Sequence, residues 1–138
     1  MSKRTVPVIV IAAVLVGLAA AAVYAALPQG SGRIELSATE FDFGTVPNTG
    51  PVSHTIQVRN AGRGPLQIAG VSTSCGCTTA EIARTELAPG ESTELRVTYD
   101  PLAHDGALGE FLRIVYIRSD DPDTPEASLA VRVRVVAP

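Results

Sequence analysis

The fold is decided by a stretch in which apolar and polar residues alternate, Val52-Ser53-His54-Thr55-Ile56-Gln57-Val58-Arg59. A period of two is typical of a β-strand that buries one face and leaves the other in water. The residues predicted to share the buried face are Val52, His54, Ile56 and Val58. The turn-forming sequence Asn60-Ala61-Gly62 follows directly and predicts the end of this strand.

The same period recurs beyond Arg33, and no helical stripe interrupts it. Residues 95–99 alternate in this way and are followed by the turn signal Asp100-Pro101. In the last stretch, four apolar residues alternate with arginines that we expect to face solvent: Leu129, Val131, Val133 and Val135 with Arg132 and Arg134. Turn signals about 8 to 12 residues apart predict an all-β fold, an immunoglobulin-like β-sandwich of about seven strands.

Residues 111–117 break the alternation, because both faces of this stretch are apolar. One face holds Leu112, Ile114 and Tyr116, and the other holds Phe111, Val115 and Ile117. A central strand covered by long neighbouring side chains explains this pattern without any function. The alternative is a face that binds a partner.

Composition limits what the protein can do. The chain has 138 residues, no tryptophan and a formal charge of −3. This length allows one modest domain beyond the N-terminal segment, and it excludes a multidomain enzyme. A net negative charge does not favour nucleic acid as a partner. The sequence also lacks a glycine-rich phosphate loop, the helix motif of zinc proteases and the Gly-x-Ser-x-Gly motif of hydrolases. We therefore expect a protein that is not an enzyme.

The N-terminal segment predicts export from the cytoplasm. Residues 6–27 carry no charge, and Lys3 and Arg4 precede them. A helix of about 20 apolar residues can cross a membrane, and preceding positive charges keep its N-terminus in the cytoplasm. We predict a cytoplasmic segment at residues 1–5, a transmembrane anchor at residues 6–27, a linker at residues 28–33 and an extracytoplasmic domain at residues 34–138. The alternative is a cleaved signal peptide and a secreted domain, because small residues near position 22 suit a signal peptidase.

One motif is hard to explain by folding alone, Ser74-Cys75-Gly76-Cys77-Thr78-Thr79. It contains both cysteines of the chain. Residues two apart in a strand point to the same side about 6.5 to 7 Å from each other, which is the outer limit for a disulfide. Gly76 can shorten this separation, because glycine adopts a positive φ at little cost.

Four interpretations of Cys75 and Cys77 stay open. A disulfide is the default outside the cytoplasm, although a loop of three residues stabilises the fold by only about 1.5 kcal/mol before strain. An exposed bond of this kind also suits a redox role. Two thiolates can instead bind zinc or Cu(I), in which case both cysteines are metal ligands. The fourth interpretation is a pair of small buried thiols packed under a loop.

Other metal ligands are scarce, and we expect no other cofactor. His54 lies on an apolar strand face, where a hydrogen-bonded core histidine is the expected role. His104 lies in the turn Ala103-His104-Asp105-Gly106 and is expected in solvent. The acidic group Asp120-Asp121-Pro122-Asp123 fits a hairpin turn better than a calcium loop.

Several segments resemble a known family when taken in order. They are Phe41-Asp42-Phe43-Gly44-Thr45-Val46, Val58-Arg59-Asn60-Ala61-Gly62, Pro65-Leu66-Gln67-Ile68, Ser74-Cys75-Gly76-Cys77-Thr78 and Leu87-Ala88-Pro89-Gly90-Glu91. The domain resembles the bacterial family called domain of unknown function 1573, an exported immunoglobulin-like group similar to the HYDIN and major sperm protein modules. The sequence Ser119-Asp120-Asp121-Pro122 departs from the family, which usually has asparagine before the Asp-Pro pair. The resemblance implies the fold and export, and it supplies no catalytic residue because the family has no assigned activity.

The sequence thus predicts a membrane-anchored, extracytoplasmic structural or protein-interaction module. Its partners would be the membrane, through residues 6–27, and a protein at the envelope, engaged by strand addition at a sheet edge. The alternative is a thiol-dependent metal-binding or redox protein that uses Cys75 and Cys77.

Overall fold

The structure, a computed structural model, describes residues 5–26 and 30–138. Helix α1 runs from Thr5 to Ala26 within the apolar N-terminal segment. No helix in these two ranges combines the length and apolarity that crossing a membrane requires, so the predicted transmembrane anchor at residues 6–27 is not found there. Residues 1–4 of the predicted cytoplasmic segment, residue 27 and residues 28–29 of the predicted linker lie outside the described residues.

Residues 30–138 form two packed sheets, which confirms the predicted β-sandwich. The first sheet contains, in spatial order, β1 (Ile34–Leu36), β3 (Val52–Asn60), β7 (Ser92–Tyr99) and β5 (Thr78–Ile82). The second contains β2 (Glu40–Pro47), β9 (Glu126–Val136), β8 (Gly109–Ser119), β4 (Leu66–Thr73) and β6 (Glu86–Leu87). A short 3₁₀ helix at Pro101–His104 follows β7.

The alternating residues form the core, as the period of two predicts. From the first sheet, the buried side chains include Ile56, Val58, Leu95 and Val97. From the second sheet, they include Val115, Ile117, Leu129 and Val131. A smaller apolar cluster lies at one end of the sandwich and contains Val46, Cys77, Tyr99, Val133 and Val135. Each strand has one apolar face because that face contributes to one of these two clusters.

Strand β8 is central in its sheet, which confirms the position that the first interpretation of residues 111–117 gave it, but not the predicted cover over its outer face. It pairs with β9 on one side and with β4 on the other. Val115 and Ile117 are fully buried between the sheets, whereas Leu112 on the outer face is 50% exposed.

The described part of the sandwich has nine strands rather than seven. The two additional strands are short, three residues for β1 and two for β6, so neither is long enough to show an alternating pattern. A further difference is that β2 pairs with β9 in parallel and carries a bulge between Asp42 and Thr45, whereas the alternating pattern indicates antiparallel strands. Both features depend on contacts between segments that are distant in the sequence.

Candidate functional site

The cysteine motif forms the loop by which the chain crosses from one sheet to the other. Strand β4 belongs to the second sheet and ends at Thr73, and strand β5 belongs to the first sheet and begins at Thr78. Residues 74–77 therefore connect the two sheets at the end of the sandwich where the smaller apolar cluster lies.

Hydrogen bonds hold this loop independently of the sulfur atoms. Thr73 Oγ1 lies 3.0 Å from the carbonyl oxygen of Cys75 and 2.7 Å from that of Thr78. Ser74 N donates to the carbonyl oxygen of Ile114 at 2.9 Å, and Ile114 N donates back to Ser74 Oγ at 2.9 Å. The loop is thus fixed to its own strand and to the neighbouring strand β8.

Cys75 and Cys77 form a disulfide, with their Cα atoms 5.4 Å apart. This confirms the disulfide interpretation and contradicts that of two packed thiols. Cys77 is only 2% exposed, whereas Cys75 is half-buried. The expected positive φ at Gly76 is not found, and a Cβ atom at this position would meet nothing within 4 Å. The tight loop therefore does not depend on the conformational freedom of glycine.

Arg113 is the residue of this site that the sequence analysis missed. It pairs with Val131, which is fully buried, so its side chain starts on the inner face of β8. Its Nε donates to Cys77 Sγ at 3.1 Å, and Nη1 donates to the carbonyl oxygen of Leu112 at 3.0 Å. The guanidinium also lies over the ring of Phe111, 5.0 Å from its centroid. The available signal was a charged residue on the same face of the stretch as Phe111, Val115 and Ile117.

Tyr99 completes the surroundings of the disulfide. It is 2% exposed and belongs to the same apolar cluster as Cys77. Burial raises the pKa of Tyr99, the positive charge of Arg113 opposes that change, and the negative charge of Asp100 adds to it. The phenol is therefore neutral at physiological pH.

The predicted metal site is not tested by this arrangement. In the disulfide neither sulfur is a thiolate, and no group of three or more His, Cys, Asp or Glu residues that could hold a metal ion occurs among the described residues. His54 stacks on the ring of Phe41, with centroids 3.5 Å apart, so an aromatic contact takes the place of the expected hydrogen bond. The side chain of His104 lies outside the described residues. Binding of zinc or Cu(I) by reduced cysteines stays a prediction.

Strand β5, which follows the disulfide directly, is an edge of the first sheet. Asp100 N donates to the carbonyl oxygen of Cys77, and Ala83 N donates to that of Glu94. Bonded pairs alternate along an antiparallel ladder, so Thr79 and Glu81 also point their amides at β7. Ala80 and Ile82 consequently point their N–H and C=O groups away from β7, towards the open edge.

A groove lies on the second sheet near the bulge of β2. Its volume is about 420 Å³, and its lining includes Gly44, Glu110, Leu112, Arg132 and Arg134. Gly44 has φ of 70°, and its amide donates to Asp42 Oδ1 at 2.7 Å, which stabilises the bulge. Acidic and basic side chains are mixed in this groove, so its charge does not select one kind of ligand.

The chain resembles several known proteins. A family model described as protein of unknown function (DUF1573) matches residues 34–135. A solved protein of unknown function from Porphyromonas gingivalis W83 is 32% identical, with a TM-score of 0.68 over 75% of this chain and 46% of that one. The present chain thus spans about half the length of that protein.

More distant structures share the fold alone. The ASH/PapD-like domain of human CEP192 is 8% identical, with a TM-score of 0.58 over 76% of this chain and 86% of that domain. The E. coli chaperone DraB is 16% identical, with a TM-score of 0.52 over 78% of this chain and 56% of that one. A search of curated proteins found no match.

Proposed function

The chain belongs to the DUF1573 family, and on that premise we propose that it is an extracytoplasmic protein-interaction module that binds an extended partner segment along the edge of strand β5. The observation that carries this proposal is the open edge at Ala80 and Ile82, whose amide and carbonyl groups point away from β7. Main-chain groups at such an edge pair readily with an added strand.

Strand β5 is better suited to this role than the other sheet edges among residues 30–138. Strands β1 and β6 contain only three and two residues, which gives too few pairing positions. Strand β2 is longer, but its bulge bends the edge, and Pro47 at its end lacks an N–H donor. Strand β5 has five residues, no bulge and no proline.

The side chains of β5 indicate the kind of segment that would bind. Ala80 and Ile82 are half-buried and pack against the main core, so part of their apolar surface is still accessible. A partner strand with apolar residues at alternate positions would cover that surface, while its main chain pairs with β5. The proposed occupant is therefore an extended segment of another protein, with β-branched or aromatic side chains on one face.

The compartment is part of the proposal and rests on the sequence. The uncharged residues 6–27 follow Lys3 and Arg4, an arrangement that directs a following domain out of the cytoplasm. Extraction of cell membranes with alkaline carbonate distinguishes the two forms of this proposal: an anchored domain stays in the pellet, and a cleaved and secreted domain does not. Recovery of the domain in the cytoplasm would contradict both.

The proposed activity is binding rather than catalysis, and Ala80→Pro tests it. Proline at an edge position whose amide faces outward removes the donor and blocks strand addition, but it leaves the ladder to β7 in place. A photo-crosslinking amino acid at Glu81 in the full chain reports on the partner, and the same amino acid at Ser53, on the outer face of the interior strand β3, is the matched control.

We expect a crosslinked product from position 81 that is absent from position 53 and is lost in Ala80→Pro, while the melting temperature stays close to that of the parent. Differently tagged copies of the chain show whether the product is a homodimer, in which case the proposed foreign partner is wrong. A product that persists in Ala80→Pro would contradict docking at β5.

A further inference from the structure

Arg113 directs its charge at the buried sulfur of the disulfide. Arg113 Nε lies 3.1 Å from Cys77 Sγ, and Thr78 Oγ1 lies 3.7 Å from the same atom. Within the described parts of the chain, the ion pair found is between Arg84 and Glu91, so no carboxylate there neutralises Arg113. A disulfide sulfur is a weak acceptor, whereas a thiolate is a strong one for a guanidinium N–H. This contact therefore gains most of its strength when the disulfide is opened.

We propose that the disulfide between Cys75 and Cys77 is a thiol–disulfide exchange site, in which a partner thiolate attacks Cys75 and Cys77 leaves as a thiolate bound by Arg113. The class of substrate is a dithiol, either a small molecule or a protein. The site is independent of docking at β5, because it requires only access to one sulfur.

The difference in exposure between the two cysteines sets the proposed direction of attack. Cys77 is 2% exposed and belongs to the smaller apolar cluster, whereas Cys75 packs against that cluster but is only half-buried. Exchange requires an attacking sulfur to approach in line with the bond that breaks. Cys75 is the more exposed of the two residues, so the proposal assigns Cys75 Sγ as the attacked atom. The sulfur that leaves is then the one beside Arg113, and a leaving thiol with a lower pKa departs faster.

The proposed exchange takes place in two steps, through a mixed disulfide. One thiolate of the dithiol forms a bond to Cys75 Sγ, the bond between Cys75 and Cys77 breaks, and its electron pair stays on Cys77 Sγ. The second thiolate of the dithiol then attacks its own partner sulfur in the mixed disulfide and releases Cys75 as a thiolate, to which Cys77 N, 3.1 Å away, is a donor. The dithiol is oxidised to a disulfide, and the cysteine pair takes up both electrons, with protons from water.

The fold allows this cycle because the loop does not depend on the sulfur bond. Thr73 Oγ1 bonds the carbonyl oxygens of Cys75 and Thr78, and Ser74 exchanges two hydrogen bonds with Ile114. Reduction therefore leaves Cys75 and Cys77 near each other and ready to reoxidise.

The test measures the reduction of the full, oxidised chain by dithiothreitol at pH 7, with thiols trapped by N-ethylmaleimide and counted by intact mass. We expect Arg113→Gln to slow reduction about tenfold and to lower the equilibrium constant by a similar factor, because a hydrogen bond to a charged group is lost. Arg113→Lys should retain most of the parent rate. The matched control is Arg118→Gln, which changes an exposed arginine on the same strand and should reduce like the parent.

Single-cysteine variants test the direction of attack with glutathione disulfide as the probe. Cys77→Ser, which leaves Cys75, should form a mixed disulfide much faster than Cys75→Ser, which leaves the buried Cys77. Equal rates would overturn the assignment of Cys75 as the attacked sulfur. The proposal as a whole is overturned if Arg113→Gln keeps the parent rate and equilibrium constant, or if the folded parent resists dithiothreitol until denaturant is added.

Discussion

Polar side chains have different hydrogen-bond partners at the two ends of the sandwich. Strand β3 starts at Val52, which pairs with Tyr99 beside the disulfide, and it ends at Asn60. Asn60 is fully buried, and its side chain bonds four main-chain groups: the carbonyl oxygens of Gly64 and Leu87 and the amides of Arg33 and Gly62. At the disulfide end, Arg113 instead directs Nε to a sulfur.

This difference indicates that Asn60 stabilises the fold, whereas Arg113 can take part in a reaction. Polar atoms that bond only to the main chain fix the positions of loops and have no capacity left for a ligand. A cation that donates to a weak acceptor can form a stronger hydrogen bond when that acceptor becomes charged. We therefore expect substitutions at the Asn60 end to change stability, and substitutions at the disulfide end to change reactivity.

The largest expected effect is that of Asn60→Ala. Its four main-chain partners would lose their bonds in a buried site, so we expect the free energy of unfolding to fall by about 3 kcal/mol or more. Asn48→Ala is the matched control at the other end, where the side chain makes one bond, to the carbonyl oxygen of Gly106, and its buried Oδ1 has no partner among the described residues. Its loss should be about 1 kcal/mol. Urea unfolding measures both, and equal losses would show that the two ends of the sandwich do not differ in this way.

Asp121 gives the second effect, which depends on pH. Burial alone would raise the pKa of Asp121, but amide donors from Ile34, Asp123 and Thr124, together with the charge of Arg33, lower it below the usual value. A carboxyl group with a lowered folded pKa stabilises the fold above its unfolded pKa of about 3.9, and this contribution is lost as the pH falls through the folded pKa.

We therefore expect Asp121→Asn to cost about 2 kcal/mol at pH 7 and progressively less below about pH 4. Asp123→Asn changes an exposed neighbour and serves as the control. Unfolding followed by circular dichroism from pH 7 to pH 2 gives the profile. A cost for Asp121→Asn that is the same at pH 7 and pH 2 would show that its charge does not matter.

The third effect is smaller and concerns the disulfide itself. Replacing both Cys75 and Cys77 by serine should lower the free energy of unfolding by no more than about 1.5 kcal/mol, because a loop of three residues restricts the unfolded chain little. Thr73→Val, which removes the hydroxyl that bonds the loop, is the comparison and should cost about as much. If the double serine variant is unfolded, the disulfide is required for the fold, and the expected difference between the two ends is wrong.

The smallest effect is expected for Gly76→Ala. The residue is exposed, its φ is not positive, and a Cβ atom would meet nothing within 4 Å. The change in the free energy of unfolding should therefore stay within about 0.5 kcal/mol. Gly106→Ala is the contrast, because φ there is 72° and the new Cβ would lie 2.6 Å from Asn48 Nδ2. Urea unfolding of both variants measures the difference, and a large loss at Gly76 would mean that glycine is required between the cysteines.

Much of the fold follows from the sequence because period-two alternation depends only on neighbouring residues. It was sufficient for β7 and β9, whose inner apolar residues from Leu95 and Leu129 onward are buried, and for the second half of β3, where Ile56 and Val58 are buried. Val52 and His54, in the first half of β3, are only partly buried. It was insufficient for β1 and β6, since strands of three and two residues are stabilised by distant partners. Asp121 illustrates the cause, because its carboxylate accepts from the first residue of β1, Ile34, 87 positions away.

Only the cysteines of the candidate site could be predicted from the sequence. Cys75 and Cys77 stand out by residue type, and a disulfide was among the interpretations. Arg113 lies 36 positions from Cys77, so their contact depends on the pairing of β8 with β4 and on the crossing of the loop between the sheets. The open edge of β5 likewise depends on strand order, which local patterns do not contain.

Amide-resolved hydrogen exchange along β5 in the full chain shows whether the disulfide end presents an open strand edge. The amides of Thr79 and Glu81 should exchange slowly because they bond to β7, and those of Ala80 and Ile82 should exchange at least about 100-fold faster. Equal and strong protection of all four amides in the monomer would mean that the edge is already covered, and docking at β5 would then be wrong.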